Sequence, residues 1–333
     1  MPTRKTPTDR VRIADVARVA GVSVGTVSKA LNGTGTLKPE TRAHVRAVAS
    51  RLGLELEDHS GAMSGPRTYT VGFLTTDSFG RFSMPILMGA EDALAVGRMA
   101  ILLSDTRDDH IREQHLLQAL HDRRVDGLII TDRPSGTSGP VDSAIPTVYT
   151  FDTPGAPEQH AVIADRAAAI GLAIDHLLSL GRSRILHIAG PARARTSAAK
   201  AAAVAERAGQ ALVREAMHGS WSEEWGRRAI DLALASGADF DAVCCDSDQI
   251  ARGALERISA HGRSVPGDVA ITGFGDWDAM TEATTPTLTS IDLNLTEIGR
   301  TAGTMLLDVL EGRTTSPRQL VIPPRLVVRG STI

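Results

Sequence analysis

The sequence predicts an α/β protein: an N-terminal three-helix headpiece of the helix-turn-helix type, followed by a two-lobed core of doubly wound parallel sheets. Three observations carry this prediction. Residues 11–32, VRIADVARVAGVSVGTVSKALN, hold two short amphipathic helical patterns joined by a turn. From residue 69 onward, short apolar runs alternate with segments of helical periodicity, the order expected of parallel sheets covered by helices on both faces. The charge is divided: residues 1–53 hold 10 Lys+Arg against 3 Asp+Glu, while the remaining chain holds 26 against 36. A basic head of net +7 on an acidic body of net −10 fits a polyanion partner for the head alone.

Residues 1–10 are polar, contain two prolines and show no periodicity, so they read as a disordered lead-in. In the first helical pattern Ile13, Val16, Ala17 and Ala20 share one face, with Asp15 and Arg18 on the other. Gly21 can take the left-handed conformation that ends a helix, and Ser23 is a good N-cap for the next. On that second helix Val27, Ala30 and Leu31 form an inner stripe, leaving Gly25, Ser28, Lys29 and Asn32 outward and Val24 at the leading edge. Short, hydroxylated and basic side chains behind a helix N-terminus suit a DNA major groove, although an ordinary solvated helical hairpin shows the same pattern. Pro39 can open a third helix without loss, and Val45, Val48, Ala49 and Leu52 give it a packing face. The headpiece is thus 11–54, and the Gly-, Ser- and Pro-containing stretch 55–68 is a linker.

In the core, 69–333, the apolar runs 71–76, 99–104, 125–130, 146–151, 184–189, 241–245 and 269–274 read as buried strands. Segments 85–96, 112–123, 167–180 and 249–261 between them read as helices. They form two blocks, about 71–163 and 164–291, and open parallel sheets take ligands beyond the carboxyl ends of their strands. Asp77, Phe79 and Phe82 follow the first run, Asp105 the second, Asp246, Ser247 and Asp248 the sixth, and Gly275 and Asp276 the last. Each acidic residue also fits a capping or solvated role.

These residues are similar to a known family. The helical hairpin and the LKPETRAHVRAVASRLGL after it resemble the DNA-binding headpiece of the LacI/GalR family of bacterial transcription regulators. The resemblance continues through VDGLII (125–130), HLLSLGRSRILHIAGP (176–191), VPGDVAITGFGD (265–276) and TPTLTSIDLN (285–294). It implies a periplasmic-binding-protein-like core with the effector between the lobes. Residues 292–320 would return to lobe 1 and 321–330 to lobe 2. It further implies a homodimer on near-palindromic double-stranded DNA, most simply a repressor. On this reading Val24, Gly25 and Lys29 read bases, Ser23, Thr26, Ser28 and Asn32 hold phosphates, and Met63 stands where the family's hinge pushes a leucine into the minor groove. Lys29 stands for the family's commoner arginine and lacks its bidentate fork. Glu55, Glu57, Asp58 and Gly61 depart from the family's hinge pattern.

Effector contacts implied for the cleft are Phe79, Phe82, Asp105, Arg195, Trp221, Asp246, Ser247 and Asp276, with Trp221 able to stack on a sugar-like ligand. Phe82 and Trp221 fit simple packing equally well. The family's polar anchors, an arginine, an asparagine and an aspartate, fall on Ser197, Ser247 and Gly275, with Arg195, Asp246 and Asp276 beside them. Two alternatives therefore stand beside an effector-controlled repressor: a regulator answering to a protein partner or its own abundance, and a solute-binding core with a weakly specific basic head.

No nucleotide-binding, hydrolase or metallopeptidase motif is present, so no catalytic residue, cofactor or metal is expected. His110, Glu113 and His115 read as a polar loop entering a helix rather than as a ligand set. The two cysteines, Cys244 and Cys245, are adjacent in an apolar run and read as buried thiols. No run reaches membrane-spanning length and the first ten residues lack a signal-peptide core, so a cytoplasmic location with no membrane partner is expected.

Overall fold

The computed structural model describes residues 13–31, 37–52, 68–77, 80–93, 99–134, 137, 139–141, 144–151, 156–314 and 316–333. The chain divides into two units, Met1–Arg67 and Thr68–Ile333. Asn32, Met63 and Phe79 lie outside the described residues.

The first unit packs three helices, α1 (Ile13–Ala20), α2 (Val24–Leu31) and α3 (Pro39–Arg51), around Val16, Ala17, Ala20, Val27, Ala30, Leu31, Val45, Val48 and Ala49. Gly21 takes φ +66°, which lets the Val22 amide return to the Ala17 carbonyl and close α1. Ser23 then caps α2, its Oγ accepting from the Thr26 amide at 3.1 Å.

The second unit runs β1 (Tyr69–Thr75), α4 (Ser83–Asp92), β2 (Met99–Asp105), α5 (His110–Asp122), β3 (Gly127–Ile130), β4 (Thr147–Phe151) and β5 (His160–Ala164). It continues through α6 (Arg166–Ser179), β6 (Ile185–Ala189), α7 (Arg195–Ala208), β7 (Met217–His218), α8 (Glu223–Ala235), β8 (Ala242–Cys245), α9 (Asp248–Ala260) and β9 (Ala270–Thr272). A short α10 (Asp278–Thr281), β10 (Ser290–Asp292), α11 (Leu295–Leu310), β11 (Gln319–Ile322) and β12 (Arg325–Val327) complete it. Two sheets result, both parallel throughout: β11-β5-β4-β3-β1-β2 in the first lobe and β7-β6-β8-β9 in the second. An antiparallel pair, β10 with β12, stands apart from them.

Period-two alternation assigns the strands' faces. In the first sheet Val71, Phe73, Ile129 and Val148 face α4 and α11, while Leu74, Leu128 and Ile130 face Leu120 of α5. Helices α4 and α11 cross with their backbones in contact, because Gly89 and Gly299 leave no room for a Cβ against the Thr296 and Ile86 carbonyls. In the second sheet Cys244 joins the cluster containing Ile170 and Val204, and Cys245 joins that of Ile230 and Ile250. The adjacent thiols therefore point to opposite faces, and both are free. Burial pushes Cys244 up to about 12 and Cys245 well above its ordinary value.

The apolar runs all contain strands, with edges that differ by one or two residues. The run 269–274 ends as a strand at Thr272, because the Gly273 and Gly275 amides turn to the Thr289 and Ile291 carbonyls. The helix expected from residue 85 begins at Ser83, where Asp77 accepts from the Phe82 and Ser83 amides. Strands β5, β7, β10, β11 and β12 are additional to those runs.

Candidate functional site

Two regions carry the residues singled out from the sequence, one in each unit. In the first, the inner stripe of α2 is buried and the opposite face is open. Ser23, Val24, Gly25 and Lys29 are exposed, Val24 at 53 %, with Thr26 and Ser28 partly so. A large aliphatic side chain half in water at a helix start contributes nothing to the headpiece core. A Cβ on Gly25 would meet only Ser23 Oγ at 3.8 Å, so the helix does not need glycine there. Ser23 and Thr26 bond each other through their hydroxyls at 2.8 Å, leaving both on the N-terminal turn, where backbone amides favour a phosphate.

In the second unit, the carboxyl ends of β1 and β2 and those of β6, β8 and β9 carry the remaining candidates. Asp77 accepts from Phe82 N (2.6 Å), Ser83 N (3.0 Å) and Ser83 Oγ (3.2 Å), which makes it a cap for the loop before α4. Phe82 ends that loop, its ring 4.6 Å from the Arg81 guanidinium. Asp105 closes β2, its side chain accepting from the Arg107 amide at 2.8 Å and its carbonyl from Arg112 Nε.

Asp246 sits after β8 at 2 % exposure and is fully engaged. It accepts from His187 Nε2 (3.0 Å), the Gly190 amide (3.1 Å) and Ser197 Oγ (3.1 Å), and lies 3.5 Å from Lys200 Nζ. Burial works to raise its carboxyl; Lys200, His187 and the Gly190 amide outweigh burial and hold it below the usual range. Ser247 is the N-cap of α9, accepting from Ile250 N. Asp248 is wholly buried, accepts from Trp277 N at 2.9 Å and from Ser290 Oγ, and has its carboxyl raised by burial. Asp276, at φ +49°, pairs with Arg329 at 2.6 Å. Arg195 is the first residue of α7.

Trp221 lies two residues before α8, whose N-cap is Ser222, and not within a helix. Its six-membered ring lies against Gly190, where no Cβ would fit, and the residue remains 38 % exposed. Behind it stands Lys200, which the sequence reading passed over. Its Nζ donates to the Asp246 carbonyl at 2.7 Å and lies 5.1 Å from the Trp221 ring and 4.3 Å from the Phe274 ring. Desolvation lowers its pKa to about 8, against the opposing pull of Asp246. The available signal was spacing: Lys200 follows Ser197 by one helical turn and shares its face. Arg81 was also passed over, and its guanidinium fills the space beside Gly275.

Glu113 is buried in a two-pronged pair with Arg133, at 2.8 Å on each prong, which accounts for its place near His110 and His115. Among the described residues no cluster of His, Cys, Asp and Glu could hold a metal, and no helix is long and apolar enough to cross a membrane.

Residues 12–54 match the family model described as bacterial regulatory proteins, lacI family, and residues 174–332 match a periplasmic binding protein-like domain. The HTH-type transcriptional regulator CelR of Thermobifida fusca is 30 % identical, over 99 % of this chain and 100 % of its own. Catabolite control protein A of Priestia megaterium is 28 % identical, over 97 % and 99 %. A solved CelR–cellobiose complex superposes with a TM-score of 0.67 at 27 % identity, covering 97 % of this chain and 100 % of that one. A lac repressor dimer bound to operator shares the fold at TM-score 0.70 and 22 % identity, covering 98 % and 100 %. The chain belongs to the lacI family of bacterial regulatory proteins and is a transcriptional regulator.

Proposed function

We propose that this regulator is a cytoplasmic repressor that binds a near-palindromic DNA operator as a homodimer and is released or recruited by a small, sugar-like effector in the interlobe cleft. The observation that carries the DNA reading is the outward face of α2, where Val24 is 53 % exposed beside Gly25 and Lys29 while Val27, Ala30 and Leu31 are buried beneath. Val24, Gly25 and Lys29 are the base-reading residues, and Ser23, Thr26, Ser28 and Asn32 the phosphate contacts, with Met63 as a minor-groove wedge. The segment 55–68 serves as the hinge between headpiece and core.

Self-association is supported by exposed apolar side chains on and beside the edge of the first sheet: Leu103 on β2, Met84 and Met88 on α4, and Ile111 on α5. A two-fold dimer doubles the base contacts and sets the symmetry of the site. Trp221 supports the effector reading, since its exposed ring lies at the mouth of the second sheet and offers a face on which a sugar can stack. The CelR relative is solved with cellobiose, which makes a carbohydrate the first class to test. No catalytic step is assigned to any residue.

Selection of random duplexes by the purified protein, followed by binding of the winner across salt and a panel of sugars, sugar derivatives and nucleosides, tests the reading. A palindrome whose affinity responds to one compound is the expected outcome. Uniform binding to unrelated duplexes overturns the repressor reading, and a palindrome indifferent to the whole panel overturns the effector half.

A further inference from the structure

Arg81 leaves the loop between β1 and α4 in the first lobe and ends among groups of the second. Its Nη2 donates to the Phe274 carbonyl at 2.8 Å and lies 3.7 Å from Asp248 Oδ2, and its Nη1 reaches Gln249 Oε1 at 3.4 Å. The Phe82 and Trp277 rings lie 4.6 and 5.7 Å from the guanidinium carbon. The side chain is 10 % exposed. Gly275 stands at φ +118°, and a Cβ there would collide with Nη2, so the second lobe leaves a space shaped for a planar cation. Phe274, Asp248 and Gln249 follow the carboxyl ends of β8 and β9, the place where an open parallel sheet meets its ligand.

The fork is not saturated. A guanidinium has five N–H donors, and the Nε of Arg81 is buried with no acceptor. A buried donor left unmade disfavours the docked arrangement, and release into water removes that penalty. The contacts therefore join the lobes while leaving the side chain displaceable.

We propose that Arg81 is an internal occupant of the cleft. Docked, it straps the two lobes together when no effector is present. An effector binds by bringing its own hydrogen-bond donors to the Phe274 carbonyl, Asp248 and Gln249, and so displaces it. The ligand class that follows is a donor-rich, polyhydroxylated or cationic small molecule. This last step rests on the effector reading above, whereas the strap itself does not.

Dyes on Gln114→Cys and Ala260→Cys, exposed positions on α5 and α9 in a chain whose native thiols are buried, report lobe separation by energy transfer in the full-length protein. The measurement needs neither effector nor operator. Arg81→Ala is expected to raise the separated population about tenfold. Arg81→Lys, which keeps stem and charge but not the fork, moves it in the same direction. Guanidinium chloride at a few millimolar, far below denaturing concentration, restores the wild-type distribution to Arg81→Ala alone. Wild-type distributions in both variants, or a folded Arg81→Ala protein that guanidinium does not rescue, overturn the strap. Should Arg81→Ala not fold, the Arg81→Lys distribution decides alone. A metabolite panel without effect overturns the effector reading and leaves this result standing.

Discussion

On α2, Val24, Gly25 and Lys29 stand exposed on a helix whose other stripe is buried, so the surface proposed to meet DNA is free of duties to the fold. At the ends of the core strands the polar side chains are committed. Asp77 and Ser247 cap helices, Asp246 accepts from three groups beside Lys200, and Asp276 is paired with Arg329. A groove-reading helix needs side chains that wait for a partner. Buried polar groups at the ends of core strands must be satisfied from within the fold. Substitutions should therefore separate binding from stability at α2 and entangle them in the cleft.

The largest effect tests that entanglement. Asp246→Ala leaves His187, Ser197 and the Gly190 amide without their acceptor and the buried Lys200 ammonium, which keeps the backbone carbonyl, without its counter-charge, and should destabilise the core by about 3–5 kcal/mol in urea unfolding. Loss of less than about 1 kcal/mol would show that the cluster relaxes easily and that the cleft is less committed than its geometry.

A second test uses pH. The folded pKa of Lys200, about 8, lies below its ordinary 10.5, so between those values the unfolded chain binds more protons than the folded one. The Lys200 contribution to stability should rise with pH across that window, by at most about 1.4 kcal/mol per unit, while the raised Cys244 and Cys245 thiols pull the other way above about 9, so the wild type should gain stability relative to Lys200→Met as pH rises. Urea midpoints at the two ends of the window, for both proteins, read it directly.

At α2 the expected effects are on binding. Lys29→Ala should weaken operator binding by about 1–3 kcal/mol and reduce the salt slope by about one, leaving the core transition unmoved. A fall in core stability would erase the contrast between the two regions. The smallest effect sharpens it: Gly25→Ala has open space around the new Cβ and should strengthen the isolated helix by about 0.5–1 kcal/mol while lowering operator affinity. Circular dichroism of the headpiece transition and a binding titration give both signs in one protein.

The difference also explains what could be read in advance. The hairpin of α1 and α2 rests on apolar residues three and four apart, a glycine at positive φ and a serine cap, all within twenty residues of one another. The core strands legible in the sequence are continuous apolar runs whose composition alone marks them, buried on both faces except at the edge strand β2, where Leu103 is exposed. Strands β5, β11 and β12 escaped because their patterns are short or half exposed. Trp221 lies outside α8, which begins two residues later, since Ser222, not the tryptophan, can cap it.

In the cleft, position along the chain located the region but not its chemistry. That Asp246, Ser247 and Asp276 follow strands could be read from the order of residues; that Asp246 and Asp276 are held by partners from elsewhere in the chain could not. Lys200 and Arg81 show the same limit, since a lysine in an alanine-rich helix and an arginine in a loop carry no local mark of burial. The sequence by itself determined the helical hairpin with its outward residues, the class of the core sheets and the basic charge of the head, because periodicity, capping and composition are local properties. Only the tertiary structure decided that Asp246 serves Lys200, His187 and Ser197, that Asp276 serves Arg329, and that Arg81 fills the space at Gly275. Satisfaction of a buried polar group depends on what the fold brings within hydrogen-bond distance, and no spacing along one strand or helix records that.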